Sequence, residues 1–355
     1  MNTFYTGDVI KILELLSSES INCCVTSSPY YGLRDYGLPP TSWPEVEYIP
    51  MSGLPTIKVP AWIGCLGLEP SPELFIAHLV FVFREVRRAL RSNGTLWLNL
   101  GDSYTGSCKG AWDNPSDKVK ESYTPKSSDY KHLEKNPLGL KPKNLVGIPW
   151  RVAFALQADG WYLRSDIVWN KPNAMPSSVK DRPTRSHEYI FLLSKSSRYY
   201  YDTDAIKEPA KEWTGQAAVF ERSGPVSNHI IPGQSVAQHR KSRSGNIERK
   251  LGSARGRPDS HIGGSIPWEG NTRNKRSVWT VATKPFKGAH FAVFPPDLVR
   301  PCILAGCPVG GTVMDPFGGS GTVAMVASEL GMDSIYIDLN PEYTEIAKER
   351  CGLAF

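Results

Sequence analysis

A doubly wound α/β fold is what this 355-residue sequence predicts, and three stretches predict it. The apolar run Ile21-Asn22-Cys23-Cys24-Val25 ends in Thr26-Ser27-Ser28-Pro29-Tyr30 and turns at Gly32. Val313-Met314 lead into Asp315-Pro316-Phe317-Gly318-Gly319-Ser320-Gly321-Thr322, which opens a helix-like stretch over 323–330. Ser334-Ile335-Tyr336-Ile337 then end in Asp338, shortly after Gly331. Strand, Gly-rich turn and helix in that order bring backbone close to a nucleotide-like ligand, and an acid ending the next strand accepts hydrogen bonds from two ribose hydroxyls. The glycine spacing lacks the three-glycine pattern that cradles a pyrophosphate, which weighs against a dinucleotide dehydrogenase.

Taken in order, residues 4–16 read as a strand, a turn at Gly7-Asp8 and an amphipathic helix burying Val9, Ile10, Ile12, Leu13, Leu15 and Leu16. Asp8 suits the N-cap of that helix. Residues 38–67 are Pro-rich and too long for a plain connection, so they form either an ordered cover or a surface loop without structure. Helical spacing resumes over 72–90, with Arg84, Arg87, Arg88 and Arg91 on an expected solvated face. Residues 95–100 read as a buried strand, 102–143 as a polar mobile loop, and 149–160 as a helix ended by Gly160. Strands follow at 162–169 and 188–193, joined through Asn170-Lys171-Pro172-Asn173. Strand character returns over 277–283, a helix over 297–304, and Asn340-Pro341-Glu342 cap the last helix.

Between 207 and 276 the alternation stops, and thirteen Lys or Arg face six Asp or Glu among Gly, Ser, Asn, Gln and His. Such a segment is either a disordered basic linker or a duplex-reading element, since the small polar residues offer groups for base edges. Arg240, Lys241 and Arg243, set among Gly and Ser, are the candidates for phosphate contacts.

The Thr26 to Tyr30 stretch carries the chemistry. Small hydroxyl residues, a proline that fixes the backbone and an aromatic ring build a rigid polar notch suited to a flat base with an exocyclic amine. An ordinary Ser-Pro turn is the alternative. With 40% hydrophobic residues the chain can fill one large domain and an appendage, and a net charge of +6 points toward polyanions. Seven cysteines without paired C-x-x-C spacing argue against a disulfide scaffold or a zinc ribbon; Cys302 and Cys307 read as core thiols, and no metal site is expected. No basic-then-apolar leader and no apolar run of membrane-spanning length occurs, so a cytoplasmic protein is expected.

Together, Tyr5 to Asp8, Thr26 to Tyr36, Gly94 to Asp102, Asp166 to Ser194 and Lys284 to Glu342 resemble the bacterial and phage DNA amino-methyltransferases of the β arrangement. The resemblance departs at Ser28, where the family motif has its first proline. It implies a Rossmann-like, mixed seven-stranded sheet and S-adenosylmethionine as cofactor. The carried-over catalytic residues are Ser27, Ser28, Pro29 and Tyr30. Those for the cofactor are Asp8, Phe286, His290, Asp315, Phe317, Gly318, Gly319, Ser320, Gly321, Thr322, Asp338 and Asn340, and those for the base pocket are Trp169, Asn170 and Lys171. The same resemblance implies a methyltransferase domain formed by 1–200 and 277–355, target recognition by 201–276, and duplex DNA as partner. It leaves open a homodimer, a cognate restriction endonuclease, and the choice between cytosine N4 and adenine N6. A DNA-binding regulator that keeps this fold with little catalysis is the alternative.

Overall fold

The computed structural model describes residues 1–33, 35, 37–105, 140–210, 271–284 and 295–352. The chain divides into two compact units, Met1–Lys207 with Asn274–Phe355, and Glu208–Arg273. In chain order the larger unit holds β1 (Asn2–Thr6), α1 (Val9–Leu15), β2 (Ile21–Ser27), β3 (Thr41–Trp43), β4 (Val46–Tyr48), β5 (Ile57–Val59), β6 (Trp62–Gly64), α2 (Pro72–Ala89), β7 (Leu90–Leu100), α3 (Ile148–Ala158), β8 (Tyr162–Asn170) and β9 (His187–Ser194). The smaller unit contributes β10 (Glu208–Pro209) and β11 (Thr272–Arg273), an antiparallel pair closed by Arg273 Nε donating to Glu208 Oε1 at 3.0 Å. Back in the larger unit come β12 (Val278–Thr280), α4 (Pro296–Gly306), β13 (Thr312–Asp315), α5 (Thr322–Glu329), β14 (Asp333–Asp338) and α6 (Pro341–Arg350).

One eight-stranded sheet organises the larger unit, in the order β1-β14-β13-β2-β7-β9-β8-β12. All neighbours are parallel except where β9 runs against β7 and β8. The sheet thus has one strand more than the seven expected. The extra strand is β12, which covers the edge of β8 through Val168 N–H to Ser277 O at 2.8 Å and Val281 N–H to Asn170 O at 3.1 Å.

Side-chain alternation along the strands splits the core between the two faces. On β7, Leu96, Leu98 and Leu100 join the layer with Leu13 of α1, Phe75 and Phe83 of α2 and Leu156 of α3. Trp97 between them joins the other layer with Ile303 of α4 and Val323 of α5. Leu15, expected inward, is 76% exposed, because two turns of α1 bury only Ile12 and Leu13, with Leu16 just beyond. Two of the arginines expected on a solvated face are cross-links. Arg84 clasps Asp159 at 2.6–3.1 Å and donates to Glu47 O at 2.8 Å, while Arg88 donates to Leu13 O and Leu16 O at 2.7 and 2.8 Å.

Residues 38–67 are ordered. They pair β3 with β6 and β4 with β5, both antiparallel. A buried polar contact pins them to α2: Glu69 Oε1 and His78 Nδ1 lie 2.8 Å apart, both fully buried, and the His78 ring stacks on Trp43 at 4.4 Å and Trp62 at 5.6 Å. Glu69 also accepts from Gly67 N–H at 2.8 Å, and Gly67 O accepts from Gly32 N–H at 2.8 Å, which ties the cover to the turn after Tyr30. Burial raises the Glu69 pKa, and the His78 contact opposes that rise. Of the stretch 102–143, residues 106–139 lie outside the described residues. Replacing Glu69 by Ala strips the buried His78 of this contact and is expected to cost about 1–3 kcal/mol in stability, with faster protease cleavage within 38–67. Unchanged cleavage at a lowered melting temperature would show that the contact does not hold the cover.

Candidate active site

The parallel strands deliver their last residues to one edge of the sheet: Thr6, Ser27, Leu100, Asn170, Asp315 and Asp338. Because β9 runs the other way, its first residues, His187 and Glu188, lie at that same edge. A cavity of about 920 Å³ opens there, at the place where open α/β sheets bind ligands.

One side of the cavity is acidic. Asp315 is buried, and its carboxylate accepts from Thr26 Oγ at 2.7 Å and from Phe317 N–H at 3.1 Å. Burial nevertheless pushes its pKa up to about 7. Asp338 accepts from Gly319 N–H and Asn340 N–H, each at 2.8 Å, and burial raises its pKa as well. Asp8 lines the cavity and caps α1 through Ile10 N–H and Lys11 N–H, both at 3.1 Å. The Gly loop is pressed against the strand beneath it. A Cβ on Gly318 would stand 2.2 Å from the Tyr336 ring, whose hydroxyl donates to Gly319 O at 2.7 Å. Phe317, Gly318, Gly319, Ser320 and Thr322 line the cavity, yet the Ser320 and Thr322 hydroxyls accept from Arg350 Nη1 at 2.7 and 3.0 Å. Gly321 is not among the lining residues; at φ +75° it starts α5, with no room for a Cβ beside Ala347. Asn340 also stays out of the lining and caps α6 by accepting from Glu342 N–H at 2.9 Å.

The other side holds the notch. Ser27 Oγ donates to Asn99 Oδ1 at 3.0 Å. The Tyr30 hydroxyl lies 2.8 Å from both Asn99 Oδ1 and Glu188 Oε2, and its ring lies against Gly101, where a Cβ would come within 2.3 Å. Lys171 pairs with Glu188 Oε1 and stands 4.1 Å over the Trp169 ring. Ser28 and Pro29 complete this wall; Ser28 is 2% exposed and its Oγ has no hydrogen-bond partner among the described residues. Asn170 does not line the cavity. It turns to Thr280 Oγ at 3.2 Å because it ends the strand that β12 covers. Phe286, His290, Arg240, Lys241 and Arg243 lie outside the described residues.

Asn99, Glu188 and Arg185 reach the cavity without standing out in the sequence. A polar Asn in the otherwise apolar Leu96-Trp97-Leu98-Asn99-Leu100 is a usable signal for the first. Nothing in local spacing marks the other two.

Residues 21–349 match the family model described as DNA methylase. Type II methyltransferase M.Cfr9I of Citrobacter freundii is 42% identical over 98% of this chain and 87% of its own length. Type II methyltransferase M.SmaI of Serratia marcescens is 42% identical over 97% and 88%. Among solved structures, the fold is shared with the cytosine-N4-specific PvuII DNA methyltransferase, at a TM-score of 0.56 and 15% identity over 98% of this chain and 86% of that one. It is shared too with a DNA modification methylase of Thermus thermophilus complexed with S-adenosyl-L-methionine, at a TM-score of 0.53 and 17% identity over 99% and 93%. The strand-end acids, the Gly loop and the Ser27–Tyr30 notch therefore sit in a chain that belongs to the DNA methylase family.

Proposed function

We propose that the accepting group is the N4 amine of a cytosine flipped out of duplex DNA, and that residues 201–276 select the sequence. The observation that carries the chemistry is the Ser27 hydroxyl, whose proton is committed to Asn99 Oδ1 and whose oxygen is thereby left as an acceptor. An exocyclic amine is a poor nucleophile because its lone pair is delocalised into the ring. The Ser27 oxygen and the Ser28 backbone carbonyl accept hydrogen bonds from its two N–H groups and draw the nitrogen toward a lone-pair-localised state, which is stabilisation by preorganised groups. Tyr30 stacks on the flipped base and offsets part of the few kcal/mol of lost duplex stacking. Asn99 and Glu188 fix that ring through its hydroxyl.

S-adenosylmethionine supplies an electrophilic methyl when bound. Asp8, Asp315 and Asp338 fit it by their chemistry, since carboxylates suit its ammonium and sulfonium charges and its ribose hydroxyls, and Phe317 adds an apolar face. Serine at the first position of the catalytic tetrapeptide leans toward cytosine. No described helix is long and apolar enough to cross a membrane, and we place the protein in the cytoplasm with its DNA.

The test is methyl transfer to duplex DNA followed by mass spectrometry of the nucleosides. N4-methylcytosine is expected; N6-methyladenine would overturn the base assignment, and absence of any product would favour the regulator reading. Ser27→Ala is expected to lower kcat by about 10²–10³-fold with cofactor affinity unchanged. Equal losses in both would make the notch structural.

For recognition, the excess of basic residues in 207–276 supports the reading. Deleting 222–270 and joining the ends with a Gly-Ser linker should leave cofactor binding intact while target and random duplexes become equivalent. Persistent discrimination in the folded deletion variant would move recognition to 38–67 or 102–143.

A further inference from the structure

Arg185 lies two residues ahead of β9 on the wall of the same cavity, and its side chain is 22% exposed. A guanidinium carries five N–H donors. Among the described residues only Nε makes a hydrogen bond, to His187 O at 3.4 Å. Nη1 is buried, without a hydrogen bond, 3.8 Å from Asp102 Oδ2. Asp102 is held where it is, because its Oδ1 accepts from Ser103 N–H, Gly147 N–H and Ile148 N–H at 2.9–3.0 Å, at the start of α3. Nη1 is enclosed against Asp102, so the donors left for a ligand are those of Nη2, which makes no hydrogen bond among the described residues, and its place on the cavity wall assigns its acceptor to the ligand.

The chemistry of that acceptor follows from the proposed base, on which this step rests. A base whose amine is held at Ser27 and Ser28 presents a ring nitrogen next along its edge, whether it is cytosine or adenine. Beyond that nitrogen the two differ. Cytosine carries the carbonyl oxygen O2, a hydrogen-bond acceptor, whereas adenine carries a C–H that offers a cation nothing. We infer that Arg185 is a specificity-determining residue that binds the O2 oxygen of the flipped cytosine, so that adenine in its place leaves the guanidinium unpaired.

The experiment compares wild type, Arg185→Ala and Arg185→Lys on two duplexes. One has cytosine at the target. The other has a 2-aminopyridine C-nucleoside, which keeps the ring nitrogen and the amine but lacks the carbonyl oxygen. Incorporation of labelled methyl from S-adenosylmethionine gives kcat/KM. Wild type is expected to lose about 10–100-fold on the analogue, and Arg185→Ala about the same on cytosine with no further loss on the analogue. Arg185→Lys, which keeps the charge facing Asp102 but not the fork, should show the same non-additivity at smaller amplitude, and it carries the test if the alanine variant does not fold. Additive losses on both duplexes, with a salt slope lower by about one, would make Arg185 a phosphate contact and overturn the inference. Adenine methylation by wild type would instead overturn the base assignment from which the inference starts.

Discussion

A buried hydrogen bond of 2.7 Å joins Thr26 Oγ to Asp315 Oδ1 across 289 residues of sequence, and the two halves of the site depend on it. Thr26 is fully buried and Asp315 nearly so. The pairing of β2 with β13 sets the contact, since Cys24 faces Met314 and the hydroxyl and the carboxylate follow just beyond. A carboxylate in this setting is costly to ionise, and the hydroxyl together with Phe317 N–H relieves part of that cost. The neighbours of this pair are the residues proposed to act on base and cofactor. Ser27 comes next on one strand, and the Gly loop comes next on the other.

The sheet topology supplies the remaining groups. Parallel strands place carboxyl ends together, and the reversed strand β9 adds amino-end residues to the same edge. Glu188 thereby meets Tyr30 from β2's end, Lys171 from β8's end and Asn99 from β7. These four side chains orient one another before any base arrives, the condition under which polar groups stabilise a developing charge without reorganising. The ordered cover over 38–67 is fixed to the same region through Gly67 and Gly32.

Much of this was legible in the sequence, for physical reasons that also explain the omissions. The Gly loop, Asp338 and the Thr26 to Tyr30 stretch announce themselves because strand, turn and helix signals are local. Asp8 and Asn340 were legible as helix caps for the same reason, and the Asn340 side chain acts only in that role among its described contacts. Glu188 and Arg185 were not legible, because their importance arises from the direction of β9, which local spacing does not encode. Arg84 and Arg88 read as solvated since their helical face is polar, yet their partners Asp159, Leu13 and Leu16 come from other elements. The strand character over 277–283 was legible and contains β12, but its pairing with the edge of β8, which takes the sheet beyond the seven strands the resemblance implied, is a tertiary contact that local pattern does not encode.

Burial raises the Asp315 carboxyl and the Thr26 hydroxyl opposes that rise, so the proposed catalytic strand tunes the charge state of the proposed cofactor half. With the Asp315 carboxyl pushed up to about 7, the folded protein holds that proton well above the unfolded value, and a cationic cofactor bound beside it, as proposed, would select the ionised form. Cofactor affinity should then rise about tenfold between pH 6 and pH 8, because the ionised fraction rises by that factor around a midpoint near 7. The most direct measurement is calorimetric cofactor affinity across pH 5.5–9 for wild type and Thr26→Val. The account predicts that the variant's midpoint moves to higher pH, since the hydroxyl that lowered the carboxyl's pKa is gone. A folded Thr26→Val protein with the wild-type midpoint would contradict it.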